Sequence, residues 1–261
     1  MAVRGRAARL VEITLGVSML TIAIQTSRAN SLGVPHKNLL EFGGKPLFRY
    51  GLELALGCES LDEVFVVSDV LAVHEAAREL GCGVIELPPE LAEGNHHGAI
   101  RFGVLAVERA LGREVEAVTV LLGNALGTRP QELDQAIELL AGDPALDSVV
   151  SVSEFSMFNP SRAFRFAADG RLEAMLSADA LSDIRGARAA NERHALGETW
   201  FFNGSFWVIR RAPLLTADGP PPFAWLGHRI AGFRQRTLME LDEAWQIPVL
   251  ATMVPPSPES R

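Results

Sequence analysis

The chain has only two cysteines, Cys58 and Cys82, with no metal-ligand spacing and too few partners for a disulfide framework. That excludes a stapled secreted scaffold and a thiolate metal cluster, and it assigns both residues to packing in a reducing, cytoplasmic setting. An excess of positive charge is missing too: 24 lysines and arginines stand against 32 aspartates and glutamates, for a formal net charge of -8. Broad nucleic-acid binding needs a basic face that displaces counterions from phosphates, so any anion site here must be local. No apolar run is long enough to span a bilayer, and there is no internal repeat or low-complexity segment. The opening MAVRGRAARL followed by VEITLGVSMLTIAI imitates a secretory signal, but Glu12 interrupts the apolar part and no small-residue cleavage site follows. Residues 1–18 are therefore read as a loose extension or the result of an upstream start-codon choice, and PPSPESR at 255–261 as a mobile tail.

What the chain does have is a 48% hydrophobic composition with 23 glycines and 15 prolines, ordinary for an α/β protein. Strand-length apolar runs at Leu20 to Gln25, Glu63 to Ser68, Gly83 to Leu87, Ala117 to Leu122 and Ser148 to Val152 alternate with helical stretches. Those helices are expected over Leu47 to Leu56, Leu71 to Leu80, His97 to Leu111 and Pro130 to Leu140. The alternation predicts right-handed crossovers and a doubly wound, three-layer, mostly parallel sheet forming one domain over residues 19–254. After Val152 the pattern changes: two short alternating runs meet at Asp169-Gly170, a hairpin turn pair, within an arm at 153–198. Thr199 to Ile209 returns as a strand pair or bent strand around Asn203-Gly204, His228 to Arg234 follows as a further strand, and Asp242 opens a short last helix.

The loop SRANSLGVPHKNLLEFGGKPL, residues 27–47, carries the chemistry. It follows the first strand, where a doubly wound sheet presents backbone amides to ligands. Arg28, Lys37 and Lys45 add full positive charge, and Gly33 and Gly43-Gly44 allow close approach of the main chain, so the loop is read as a triphosphate site. A glycine-rich loop alone is equally well a solvated turn.

The residue order is more specific. Arg28-x-x-Ser31-x-Gly33-Val34-Pro35-x-Lys37-Asn38, followed by Gly44-Lys45-Pro46-Leu47, resembles the first motif of the acylneuraminate cytidylyltransferases. Val66-Val67-Ser68-Asp69, Pro89-Glu90-Leu91-Ala92, Asp147-Ser148-Val149-Val150-Ser151-Val152 and Asn203-Gly204 resemble other stretches of that family in order and spacing, so the likeness runs from about Leu20 to about Pro248. The resemblance implies the nucleotide-diphospho-sugar transferase type of α/β fold, and transfer of CMP from CTP to a sialic-acid-like acid sugar with release of pyrophosphate. It implies Arg28 and Lys37 as catalytic cations, Arg28, Ser31, Gly33, Lys37, Asn38 and Asn124 as the nucleotide site, and Arg193, His194 and Asn203 as the sugar site, with Arg193 on the carboxylate. It also implies Mg2+ at Glu240 and Asp242, a carboxylate pair one residue apart that can share a hard cation, and a homodimer completed by the arm. Asp242 is equally well a helix cap.

The chain departs from that family in four places. Leu32 stands where a lysine is usual, Gly123-Asn124 where a glutamine is usual, Glu93-Gly94-Asn95-His96-His97 where Asp and small hydroxyl residues are usual, and Glu240 replaces an aspartate. Two classes of function follow: an active cytidylyltransferase, with this or another base and sugar, or a relative that binds a nucleotide or a partner without turnover. The eight-carbon Kdo enzymes rank lower because they lack Lys37-Asn38 between the proline and the Gly-Lys-Pro turn. His97 is read as a polar wall residue near the pocket, and the cluster Trp200, Phe201, Phe202, Phe206, Trp207 as core and interface packing.

Overall fold

A computed structural model describes residues 19–29, 33–183 and 196–254. Its strands are β1 (Thr21–Ser27), β2 (Glu41–Phe42), β3 (Lys45–Pro46), β4 (Glu63–Ser68), β5 (Gly83–Glu86), β6 (Ala117–Leu122), β7 (Ser148–Glu154), β8 (Phe164–Phe166), β9 (Leu172–Ala174), β10 (Trp200–Arg210) and β11 (Ile230–Arg234). Its α-helices are α1 (Leu47–Gly57), α2 (Leu71–Glu79), α3 (Pro89–Ala92), α4 (His96–Leu111), α5 (Pro130–Gly142), α6 (Ala178–Asp183), α7 (Arg211–Thr216) and α8 (Ile247–Ala251).

Seven strands form the main sheet in the order β11-β7-β10-β6-β1-β4-β5. The pairs β1/β4, β1/β6, β4/β5 and β7/β11 are parallel, and β10 runs antiparallel between β6 and β7. The chain winds outward from β1 through β4 to β5, then crosses back by α4 to place β6 on the other side of β1. This reversal opens a crevice at the carboxyl ends of β1 and β6, the position where doubly wound sheets bind ligands.

Both faces of the sheet are covered, which explains why its central strands read as near-continuous apolar runs. On one face Phe48, Leu52 and Ala55 of α1, Val73 and Ala77 of α2, and Leu133, Ile137 and Leu140 of α5 pack on Ala23, Val64, Val66 and Leu121. On the other, Ile100, Val104 and Val107 of α4 and Leu214 of α7 pack on Ile22, Ile24, Val118 and Val120. Full burial of one such side chain contributes about 1.5–3 kcal/mol. A third, smaller cluster of Val34, Phe42, Leu47, Leu126, Leu241 and Leu250 ties the first loop, the β6 loop and the C-terminal segment together at the crevice end.

The thiols behave as packing groups. Burial and a hydrogen bond to Asp134 push Cys58 up to about 12, and burial pushes Cys82 up to about 11, so neither is a thiolate at neutral pH. Among the described residues no helix is long and apolar enough to cross a membrane. The chain leaves the sheet after Glu154, forms the hairpin of β8 and β9, and rejoins it at Trp200. The aromatic return is one bent strand, its register shifting between Phe202 and Trp207 around Gly204 (φ 75°). Asp242 does not cap the last helical turn. Glu243 does, exchanging backbone and side-chain hydrogen bonds with Gln246, which leaves the Asp242 carboxylate for other use.

Candidate active site

The crevice holds a cavity of about 770 Å³ lined at one end by Arg28, Gly33, Lys37, Asn38, Asn124, Glu240 and Asp242. Several buried contacts shape the loop after β1. Ser68 Oγ donates to the Ser27 carbonyl, and the Ala29 amide donates to Asp69 Oδ1 at 2.9 Å. Asn38 Nδ2 donates back to the Arg28 carbonyl at 3.3 Å, closing the loop on itself. Arg28 Nη1 donates to the carbonyls of Ala92 (3.2 Å) and Gly94 (2.6 Å), so α3 fixes the guanidinium at the cavity wall.

The carboxylate pair is assembled from three directions. Leu241 is fully buried, so Glu240 and Asp242, its neighbours along an extended segment, share the opposite side. The segment bridges to Ala125, and the Leu241 amide donates to the Asn124 carbonyl at 2.8 Å. Asn124 Nδ2 reaches Glu240 Oε2 and Asp242 Oδ1, each at 3.3 Å, and the Leu241 carbonyl at 3.0 Å. Gly204 makes room for the Glu240 side chain, since a Cβ there would come within 2.7 Å of it, and Gly33 makes room for the Asp242 carbonyl. Burial, then the neighbouring Asp242 charge, holds the Glu240 carboxyl above its ordinary range. Lys37 Nζ lies 2.5 Å from Asp242 Oδ1 and supplies local positive charge.

The other end of the cavity is aromatic: Trp200, Phe201, Phe202, Trp207 and Phe223 line it. This corrects the reading of the cluster as packing alone, since only Phe206 of the five expected residues is confined to the core. Trp207 is buried, yet its Nε1 has no partner among the described residues and remains a donor. His96, at the first turn of α4, completes the wall, with Nε2 2.6 Å from Thr26 Oγ1 and its ring edge-on to Trp207.

Several expectations about placement change. Lys45 faces away from the cavity, pairing with Glu53 and covering the Tyr50 ring. Gly43 and Gly44, both at positive φ, form the β2–β3 turn rather than a phosphate cradle. Gly33 accommodates protein backbone. Asn203 is buried in the sheet, where Ser151, Ser153 and Gln235 take up its amide, so it is a core residue and not a sugar contact. His97 turns to the Leu214 carbonyl and stacks on Trp225, leaving His96 as the wall residue. Ser31, Leu32, Arg193 and His194 lie outside the described residues. Gly123 stands where a side chain would collide with Ser27 Oγ, so no amide can replace the expected glutamine there, and Asn124 fills a different role as the bridge between carboxylates.

Thr26 was not legible as a site residue before the strands were aligned, whereas the His96-His97 pair reads as a helix start near the pocket with His97 as its wall; Asn95 carried the signal for that start. Its side chain accepts from the Gly98 amide at 2.7 Å and caps α4, starting the helix at His96. Burial first, then the charges of Arg28, His97 and Lys37, lower His96 to about 4 from an ordinary value of 6.5. His96 is thus neutral in the folded protein where the unfolded chain would already bind a proton. Its contribution is complete above pH 6.5 and disappears as pH falls toward 4, a loss of about 3 kcal/mol. Urea unfolding across that window should show this slope in the parent and a shallower one in His96→Gln; equal slopes would remove His96 as its source.

The geometry can be set beside known proteins. Residues 22–143, from β1 through α5, match a family model described as Cytidylyltransferase. That match covers 122 of the 261 residues, and over this stretch the chain is similar to cytidylyltransferases. It is 26% identical over 146 residues to the bifunctional pseudaminic acid cytidylyltransferase and UDP-2,4-diacetamido-2,4,6-trideoxy-beta-L-altropyranose hydrolase of Helicobacter pylori, covering 56% of this chain and 28% of that one. It is 38% identical over 63 residues to a pseudaminic acid cytidylyltransferase of Campylobacter jejuni, covering 24% of this chain and 27% of the relative. The matches therefore span only about a quarter of these relatives' lengths. Among solved structures, the CTP complex of CMP:2-keto-3-deoxy-manno-octonic acid synthetase superposes with a TM-score of 0.64 at 17% identity, covering 90% of this chain and 98% of that one. This establishes the same fold.

Proposed function

We propose that this protein is a CTP-dependent cytidylyltransferase that activates an acid sugar of the nonulosonic class, joining CMP to the sugar's anomeric oxygen and releasing pyrophosphate. One observation carries the reading: Arg28, Lys37 and Asn38 meet the Glu240 and Asp242 carboxylates in one cavity at the sheet's crossover point, facing an aromatic wall. Transfer to a phosphate ester requires positioning and charge neutralisation, with no covalent nucleophile from the protein. The sugar hydroxyl oxygen forms a bond to the α-phosphorus as the bond to the oxygen bridging to the β-phosphate breaks. The electron pair leaves with pyrophosphate, and the hydroxyl proton passes to water. Arg28 and Lys37 are placed to take the charge on the phosphates.

Glu240 and Asp242 fit magnesium. The ion commonly uses one or two carboxylates and completes its shell with water and substrate phosphates, and Asn124 holds together two carboxylates of which Glu240 is raised first by burial and then by its neighbour's charge. When bound, magnesium would supply charge neutralisation at the phosphates. The aromatic end suits a sugar bearing deoxy or acylated positions, whose apolar faces pack on flat rings. The names of the matched relatives point to pseudaminic acid, and Arg193 remains the proposed partner of the sugar carboxylate.

The reading includes a homodimer. Phe164, Phe166, Leu172 and Met175 of the hairpin arm and Met157 and Phe158 beside it are all more than half exposed, an apolar surface that a second subunit would cover. Light scattering should give twice the chain mass, and Phe166→Glu with Leu172→Glu should give one; a monomeric parent would remove this part of the reading.

The activity is tested by supplying each nucleoside triphosphate with magnesium and a panel of nonulosonic acids and following pyrophosphate. Release with CTP and an acid sugar is expected. CTP binding without release would identify a non-catalytic relative, and neither binding nor release would overturn the reading.

A further inference from the structure

A second cavity, of about 440 Å³, lies behind the loop that follows β6. It shares Leu122 with the crevice, and the loop divides the two: Gly123 and Asn124 face the crevice, while Ala125, Leu126, Gly127, Thr128 and Arg129 line the second space. Its lining is unusual for this molecule. In a chain of net charge -8, Arg129 and Arg236 border it, and among the described residues no carboxylate lines it. Its body is apolar, from Leu54, Leu126, Met253 and Val254.

Its floor carries a polar group with nothing to bond. Ser205 is 5% exposed, lines the cavity, and its Oγ has no hydrogen-bond partner among the described residues. Gln25 Oε1 is likewise unpartnered and lies directly beneath Gly51, another lining residue. A buried polar group without a partner costs on the order of 1–3 kcal/mol, so such groups at a cavity floor mark a place where a ligand can satisfy them. Thr128 adds a hydroxyl that already accepts from Gln235 Nε2 at 3.2 Å. Arg236 is held by its bond to the Gly127 carbonyl at 2.7 Å, so its guanidinium is oriented before any ligand arrives, while Arg129, 75% exposed, makes a surface pair with Glu132 at 3.4 Å that a ligand carboxylate can replace.

We propose that this cavity is a second ligand site, for a compact organic carboxylate with a short apolar body. The carboxylate would sit between Arg129 and Arg236, with the Ser205 hydroxyl bonding the ligand's polar end or a water it orders, and the body would fill the space between Leu54, Leu126 and Met253. Because Asn124 is one residue from the lining and bridges Glu240 to Asp242, an occupant that shifts the loop also shifts the carboxylate pair. The site is thus placed to regulate the crevice. That regulatory part rests on the function proposed above, whereas ligand binding does not.

The test uses the full chain with benzoate and hexanoate, measured by ligand-observed NMR and calorimetry without nucleotide, so that binding is judged separately from turnover. Saturable binding in the millimolar range or tighter is expected. Arg129→Gln with Arg236→Gln, both surface changes, should weaken it about tenfold or more. Ser205→Ala should weaken binding while raising the ligand-free melting temperature, a pair of opposite signs that a purely structural serine would not give. The neutral analogue benzamide should bind less tightly than benzoate. No saturable binding to the full chain, or binding unchanged in the arginine double variant, would overturn the site. With CTP and magnesium present, benzoate should alter the magnesium concentration for half-maximal nucleotide binding; no change would overturn the regulatory part alone.

Discussion

Replacing Asp242 with asparagine is expected to lower turnover by roughly a hundred- to a thousandfold while leaving the melting temperature close to that of the parent. The two halves of the prediction follow from different features of the same residue. Its side chain is 53% exposed and its charged partner is Lys37, so the ion pair sits in high dielectric and contributes about 0–1 kcal/mol to stability. Loss of that pair is further offset because Asp242 is one of the charges that raise Glu240, and its neutralisation relieves the repulsion. The backbone register is held by Leu241, which is fully buried, and by its amide bond to Asn124, neither of which the substitution touches. The chemistry has no such compensation, because one carboxylate cannot hold a hard cation as two do, and an amide oxygen is a weaker ligand. Pyrophosphate release over a magnesium titration checks it: the variant should need far more metal and reach a lower plateau. Parental turnover at parental magnesium would take the pair out of the reaction.

The elements legible in the sequence were those whose burial and whose boundaries are both local. β4 and β6 match their apolar runs residue for residue, because each is sealed on both faces and flanked by polar segments. β1 extends to Ser27, two residues beyond its expected end, because Thr26 and Ser27 are polar by type but buried among neighbouring strand ends, where Ser68 and His96 satisfy them. The same division holds in the site. Arg28, Lys37, Asn38, Glu240 and Asp242, which line one cavity, each belong to a short contiguous pattern that a sequence reading can pick out. The aromatic wall does not, since Trp200 and Phe202 reach the cavity only through the bend in β10, and Phe223 comes from a separate loop. Gly33 misled in an instructive way: it does permit close approach, but of the Asp242 backbone, which no local reading could distinguish from approach of a phosphate.

Lys37→Ala separates nucleotide binding from metal binding within one cavity. Lys37 is mostly covered, at 18% exposure, and its Nζ contacts Asp242, so without ligand it partly neutralises the carboxylate pair. On the proposed function, a triphosphate beside Arg28 would offer that ammonium another partner and would free the Asp242 carboxylate to hold a cation, so that ion pair and metal site would be alternative uses of one carboxylate. Alanine removes the first partner and the phosphate contact together. Catalytic efficiency with CTP should fall about a hundredfold, mainly through a raised KM, since truncating one member of a charged contact costs roughly 2–5 kcal/mol. Magnesium should bind the free variant at least as well as it binds the parent, because the competing ammonium is gone, whereas Asp242→Asn should lose metal binding first. Isothermal titration of each variant with magnesium alone and then with CTP distinguishes the two patterns. Parental CTP affinity in Lys37→Ala would place the phosphates elsewhere in the crevice, and weakened magnesium binding would show that Lys37 supports the carboxylate pair instead of competing for it.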